Sequence, residues 1–461
     1  MTHKTVKDLL ASLEGVVQVR DSTVEVLDER RLRDRAIDAL VWDAVFGTEA
    51  VQAEARWLIW ELGQALGIKP ASIHDLYMAR GRGEFHGLTV PAMNLRGMTY
   101  DMARAVFRAA LKHRVGAFIF EIARSEIGYT QQPPAEYTCA VLAAAIKEGF
   151  RGPLFVQGDH FQLNPRRFRH SLEEEVGVIK ELIREAIAGG FYNIDIDAST
   201  LVDLSQPTVD EQQRVNYELS AELSDFVRSL EPEGVTISLG GEIGEVGGKN
   251  STEEELRAYL DGYDRTLAQR GADLAGLSKV SIQTGTTHGG VVLPDGSIAR
   301  VKLDFDTLER LSRVAREEYG LSGAVQHGAS TLPEEAFDKF PQTETAEVHL
   351  ATAFQNIIYE HPALPDELRQ EVYAYLKEAH ADERKEGQTD EQFVYKTRKM
   401  AFGPFKAQWW GLPADVRQKL GESLEDRFGL LFRKLNVVDT VDLVRRYVSP
   451  PTIHKTPADF G

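Results

Sequence analysis

Between residues 88 and 350 the chain alternates short apolar runs with longer amphipathic stretches, a pattern that predicts parallel βα units. Eight runs read as strands: residues 88–93, 116–122, 153–158, 192–197, 235–240, 277–283, 323–326 and 346–350. The stretches between them read as helices. Ser171 with Glu174 predicts a capping box, after which Leu172, Val176, Ile179, Ile183 and Ile187 form one apolar face that Gly189-Gly190 ends. Ser251 with Glu254 and Asp306 with Glu309 predict similar starts. Eight parallel strands in this length predict a closed (β/α)8 TIM barrel. An open doubly wound sheet is the alternative, but no Gly-x-Gly-x-x-Gly follows the first strand.

The flanks read differently. Val51, Ala55, Leu58, Leu62 and Leu66 recur at helical spacing and Gly67 closes them, so residues 1–86 are expected to be a helical N-terminal extension that packs or oligomerises. Its Arg80-Gly81-Arg82-Gly83 loop could attract an anion, although such loops are more often solvated. After the barrel at 87–361, residues 362–461 carry a second stripe, Leu420, Leu424, Phe428, Leu431 and Leu435, and are expected to be a helical C-terminal extension. Trp409-Trp410 reads as a packing anchor and residues 380–390 as an exposed linker or solvated helix.

The chemistry gathers at strand ends. In a barrel, catalytic groups come from the C-terminal ends of different strands. Asp159 and His160 end the third strand, Asp197 the fourth, Glu242 follows the fifth, His288 the sixth, and His327 ends the seventh. Three imidazoles converging on one rim predict a divalent-metal site, which suits zinc with one position open for a substrate oxygen. Gly289, Gly328 and Ser330 offer backbone N–H groups and a hydroxyl where such barrels often hold phosphate.

The net charge of −18 argues against nucleic acid or an anionic membrane surface as partner. Cys139 is the only cysteine, which excludes an intrachain disulfide and a cysteine-rich metal cage. No signal-like start or membrane-length apolar run is found, so a cytoplasmic protein is expected.

Asp159-His160, Ile196-Asp197-Ala198-Ser199, Glu242-Ile243-Gly244, His288-Gly289-Gly290 and His327-Gly328-Ala329-Ser330 follow one another as in the class II, metal-dependent fructose-bisphosphate aldolases, which the chain resembles over about residues 88–358. The opening Val90-Pro91-Ala92-Met93-Asn94 is similar to that family's first strand. The resemblance implies a zinc-dependent lyase of carbohydrate metabolism, such as glycolysis, that is a homo-oligomer and acts on a phosphorylated ketose. It implies zinc on His160, His288 and His327 with Glu242 as alternative ligand. Asp159 would be the acid/base at the C4 hydroxyl, and Gly289, Gly328, Ser330 and Asp197 would lie around substrate and phosphate.

The chain also departs from that pattern. His349-Leu350-Ala351-Thr352-Ala353 stands where Asn-x-x-Thr-Asp is usual. Ala123 stands in place of a phosphate-binding serine, with Ser125 nearby, and Lys249-Asn250 replaces an acidic loop. A substitute for that acid would have to come from Glu253, Glu254 or Glu255, which read better as a helix start. The stretch 122–137 resembles the non-catalytic subunit of tagatose-bisphosphate aldolases, which makes a stabilising partner subunit the rival expectation. A zinc-dependent barrel hydrolase using Asp159 as base is a third.

Overall fold

The computed structural model describes residues 2–20, 22–244, 249–285, 293 and 303–461. Eight strands close into a ring: β1 Val90–Asn94, β2 Ile119–Ala123, β3 Gly152–Gln162, β4 Asn193–Asp197, β5 Ser238–Glu242, β6 Lys279–Ile282, β7 Ala324–Gln326 and β8 Glu347–Leu350. Every neighbouring pair is parallel, and β8 pairs with β1 to complete the barrel. All eight expected strands are present, with ends shifted by a few residues, so the closed (β/α)8 barrel holds over the open sheet.

The helices between strands start where the sequence supplies side-chain oxygens for orphan backbone N–H groups. Ser171 accepts from Glu174 N at 3.3 Å at the head of Leu172–Ala188. Two of the expected starts are displaced. Thr252 with Glu255, rather than Ser251 with Glu254, makes the capping box of Glu253–Arg270, because Ser251 is committed to β6: its Oγ accepts from Gln283 N at 2.9 Å. Asp304, rather than Asp306, caps Phe305–Glu317 through Thr307 N.

The N-terminal region is not wholly helical. It holds a hairpin, Val17–Arg20 with Thr23–Val26, and a parallel strand, Ile68–Ala71, that pairs with the lower half of β3. β4 pairs with β3 only from Gln157 onward, so the strand 68–71 fills the space below it. Asn193 joins all three strands: its Nδ2 donates to Ala71 O and Val156 O, and its Oδ1 accepts from Ile73 N. The helix Glu49–Leu66 buries Val51, Ala55, Leu58 and Leu62 as the stripe predicts, and Gly67 ends it at φ 72°.

The next helix, His74–Gly81, closes the N-terminal end of the barrel. Arg80 is buried there, donating to Glu344 Oε2 at 3.0 Å and Ala346 O at 3.4 Å. The Arg80–Gly83 loop therefore sits at the end away from the catalytic candidates, where its charge is taken up by a carboxylate and a strand-edge carbonyl. At the other side, Ala414–Lys434 buries Leu420, Leu424, Phe428 and Leu431. Trp409 and Trp410 are packing residues as expected, and Trp410 Nε1 donates to Gly97 O at 2.8 Å.

Barrel interiors are ordinarily filled with branched apolar side chains. Here the interior is polar. Lys279 Nζ reaches Glu347 Oε1 at 2.5 Å, Gln157 Oε1 at 2.7 Å and Asp195 Oδ1 at 2.9 Å. Tyr77 from the closing helix donates to the second oxygen of Glu347. Gly240 makes room for this set, since a Cβ there would lie 2.2 Å from Asp195 Oδ1. Burial works against the Lys279 charge, but Asp195 and Glu347 outweigh it and raise its pKa.

Candidate active site

The geometry begins with an irregularity in β3. Adjacent residues of a regular strand point to opposite faces, which would send either Asp159 or His160 out of the barrel. The pairing register against β4 shifts between Gly158 and Phe161, and His160 adopts φ 43°. This bulge lets both neighbours face the interior. Gly158 permits it, because a Cβ there would lie 2.4 Å from the Phe161 ring. A left-handed conformation costs a non-glycine residue about 1–2 kcal/mol, so His160 is held there by its partners. Its Nδ1 lies 2.9 Å from Asp197 Oδ2 and 3.0 Å from Glu242 Oε2.

His327 follows β7 and its ring centroid lies 4.3 Å from that of His160. His349, in β8, also lies against His327, with ring centroids 4.0 Å apart and planes tilted by 31°. His349 Nδ1 lies 2.9 Å from Glu121 Oε2 and 3.2 Å from Asp159 Oδ1, while its Nε2 is 2.7 Å from Glu347 Oε1. The imidazoles thus form a row along the barrel mouth, with Asp159 between the outer two.

Burial and neighbouring charges compete at Asp159, at His160 and at the carboxyls beside them. For Asp159, desolvation alone would raise the pKa, but His160, His349 and His327 overcome it and hold the carboxyl well below its usual range. Desolvation would lower His160, and the charges of Asp159 and Glu242, with its hydrogen bonds to Asp197 and Glu242, raise it well above the ordinary value. Glu242 is pushed up to about 8 by burial and then by Asp197. Burial likewise lifts Glu121 to about 8.

Such crowding of carboxylates and imidazoles suits a divalent cation. Ligand atoms of His160, Glu242 and His327 lie within 4.8 Å of one another, as do those of Asp159, His327 and His349. The donors are nitrogen and oxygen, the set that zinc and its first-row neighbours accept, and their negative charge is what a cation would offset.

Asp159, His160, His327, Gly328 and Ser330 line a cavity of ≈ 1280 Å³ that opens at the C-terminal ends of the strands. Gly328 has φ 68°, and Ser330 Oγ accepts from Ala351 N at 2.6 Å, tying the loop after β7 to the loop after β8. Residues 385–388 and Gln392, Tyr395, Lys396 and Lys399 of the C-terminal region form the far wall.

The family described as fructose-bisphosphate aldolase class-II matches residues 82–406. The chain belongs to that family. No match was found among curated proteins. Among solved structures, a probable tagatose 6 phosphate kinase from Sinorhizobium meliloti 1021 is 17% identical, with TM-score 0.51 over 78% of this chain and 98% of that one. A fructuronate-tagaturonate epimerase from Cohnella laeviribosi is 12% identical, with TM-score 0.50 over 96% of this chain and 90% of that one. A fructose-bisphosphate aldolase from Campylobacter jejuni is 15% identical, with TM-score 0.47 over 81% and 98%. At these identities the first two speak to the fold.

Within this class-II aldolase fold, the structure brings Asp159, His160, Glu242 and His327 together. His288 and Gly289 lie outside the described residues. Asp197 is engaged inside the protein: Oδ2 accepts from Gln162 Nε2 and meets His160, and Oδ1 accepts from Ser199 N and Oγ. It reaches the site through His160. Glu253 pairs with Arg257, while Glu255 caps its helix and pairs with Lys249, so both serve the helix start.

Two inward groups were passed over in the sequence. Glu121 lies in the apolar run Ile119-Phe120-Glu121-Ile122-Ala123, where a lone charge signals an inward-facing carboxylate. His349 was read as a lost asparagine, although it is a further imidazole near a strand end. The wall from residues 385–399 carries no pattern that ties it to the barrel.

Proposed function

We propose that this protein is a divalent-metal-dependent aldolase that reversibly cleaves a carbon–carbon bond in a ketose bearing an anionic group, with zinc as the ion. The observation that carries this reading is the β3 bulge, which turns Asp159 and His160 together into the cavity beside His327. His160, His327 and His288 would hold the metal, with Glu242 as alternative ligand, and the bound ion supplies Lewis-acid polarisation of the substrate carbonyl.

The chain's own residues do the rest. Asp159, kept ionised by the three imidazoles, accepts the proton from the hydroxyl on the scissile-bond carbon that becomes the aldehyde, as the bond's electron pair passes to the ketone half, and returns that proton in condensation. Asp197 fixes the His160 ring through Nδ1, and Gln162 in turn fixes Asp197. Gly328 presents backbone N–H access beside Ser330, next to the carbonyl half of the substrate. Retention of this donor set favours catalysis over a stabilising partner subunit, which has no use for it.

The test is metal analysis of the purified protein together with a cleavage and condensation screen across sugar phosphates and sugar acids. Metal that survives gel filtration, with cleavage abolished by chelation and restored by zinc, is expected. Metal-loaded protein that neither cleaves nor condenses any ketose overturns the reading.

A further inference from the structure

The cavity is lined by several basic side chains, and Glu386 stands among the residues of its far wall. The chain carries a net charge of −18, yet Arg96, Arg167, Lys385, Lys396 and Lys399 all line this one opening. Arg96 is neutralised by Glu126, at 2.5 Å from its guanidinium. Lys399 is half-buried, with its Nζ 5.5 Å from the Tyr129 ring centroid, and it forms no ion pair among the described residues. Lys396, Lys385 and Arg167 are exposed and also form none among the described residues. Burial disfavours the Lys399 ammonium, Arg96 and Lys396 add like-charge repulsion, and the more distant charges of Glu126 and Glu383 offset this only in part, so its pKa is lowered. A wall of this kind is stabilised when an anion arrives from outside.

We infer that Lys399, with Lys396 beside it, is a binding site for the anionic terminus of the substrate, a phosphate ester or a carboxylate, remote from the reacting carbons. This deepens the proposed aldolase reading, on which it rests for the identity of the substrate. The site is built by the C-terminal extension, so that extension selects the substrate while the barrel performs the chemistry. The loop after β8 fits this division, because Ala351-Thr352-Ala353 carries no cationic side chain and His349, within the strand, is engaged with carboxylates.

Binding of non-cleavable ligands to the full-length, metal-loaded protein tests the inference without requiring turnover. The probes are 6-phosphogluconate, glucarate and the neutral polyol sorbitol, titrated calorimetrically into wild type, Lys399→Met and Lys396→Met. An anionic probe is expected to bind wild type at least tenfold more tightly than sorbitol. Lys399→Met should erase most of that preference, Lys396→Met should weaken it several-fold, and Lys399→Arg should restore it. The tighter anion tells a sugar phosphate from a sugar acid, and either supports the inference. Equal binding of sorbitol and both anions by wild type overturns it, as does unchanged anion preference in folded Lys399→Met and Lys396→Met. If the protein proves not to be an aldolase, this binding difference still stands or falls by itself.

Discussion

Both ends of the barrel hold charged side chains and use them differently. At the N-terminal end, closed by the helix His74–Gly81, Lys279 is surrounded by Asp195, Glu347 and Gln157, with Tyr77 completing Glu347. Every charge there has a partner within the protein. At the C-terminal end, Asp159 and Glu242 crowd the same imidazoles, and Lys385, Lys396 and Lys399 of the wall above them form no ion pair among the described residues. A saturated cluster fixes structure, whereas an unbalanced one is completed by something that binds. The contrast separates the residues that hold the barrel from those that would work in it.

The sharpest way to break this contrast is Asp159→Asn. Turnover should fall about 10²–10⁴-fold, the usual yield of general acid–base catalysis, while bound metal and the thermal midpoint change little. Near-normal turnover in steady-state assays would remove Asp159 from the mechanism. Lys279→Met, at the opposite end, should instead cost about 3–5 kcal/mol of stability, because it leaves Asp195 and Glu347 buried without their cation. Urea denaturation measures this, and a variant that unfolds like wild type but has lost turnover would reverse the assignment of the two ends.

Tyr77→Phe is a gentler probe of the same end. Losing a hydrogen bond to a charged acceptor should destabilise by about 1.5–3 kcal/mol, with kcat of the remaining folded protein unchanged. The smallest effect concerns pH. Burial and the charge of Arg228 lower His74 to about 4 from its ordinary value near 6.5. The folded state therefore binds fewer protons than the unfolded state between those values, and stability falls as pH drops through that window. From pH 7 to pH 5 the loss should be about 1–2 kcal/mol by linkage. His74→Gln should flatten that part of the stability–pH curve, and an unchanged slope would show that His74 is not its source.

Much of the barrel was legible because its evidence is local. Strand-length apolar runs, helix faces and glycine stops depend on neighbours a few residues apart, and all eight strands lie where those signals put them. The convergence of Asp159, His160 and His327 was legible for a related reason: once a barrel is assumed, strand ends share one rim. The bulge was not, because nothing in Val-Gln-Gly-Asp-His-Phe states that both Asp159 and His160 turn inward. The helix start moved to Thr252 because Ser251 Oγ is taken by Gln283 N, and the next one lies at Asp304 because that carboxylate, two residues before Asp306, accepts from Thr307 N. The strand 68–71 was hidden too, since its reason for being extended lies in β3, more than eighty residues away.

Local patterning was enough for the number and order of βα units, the apolar faces of the long helices and the candidacy of Asp159, His160, Glu242 and His327. Only the tertiary structure decided that Arg80 closes one end while Lys396 and Lys399 wall the other, that His349 and Glu121 join Asp159, and that Asp197 acts through His160. The reason is physical. Hydrophobic periodicity reports which face of an element is buried, but the sign and balance of charge around a point depend on residues brought together from across the chain, and only folding sets those distances.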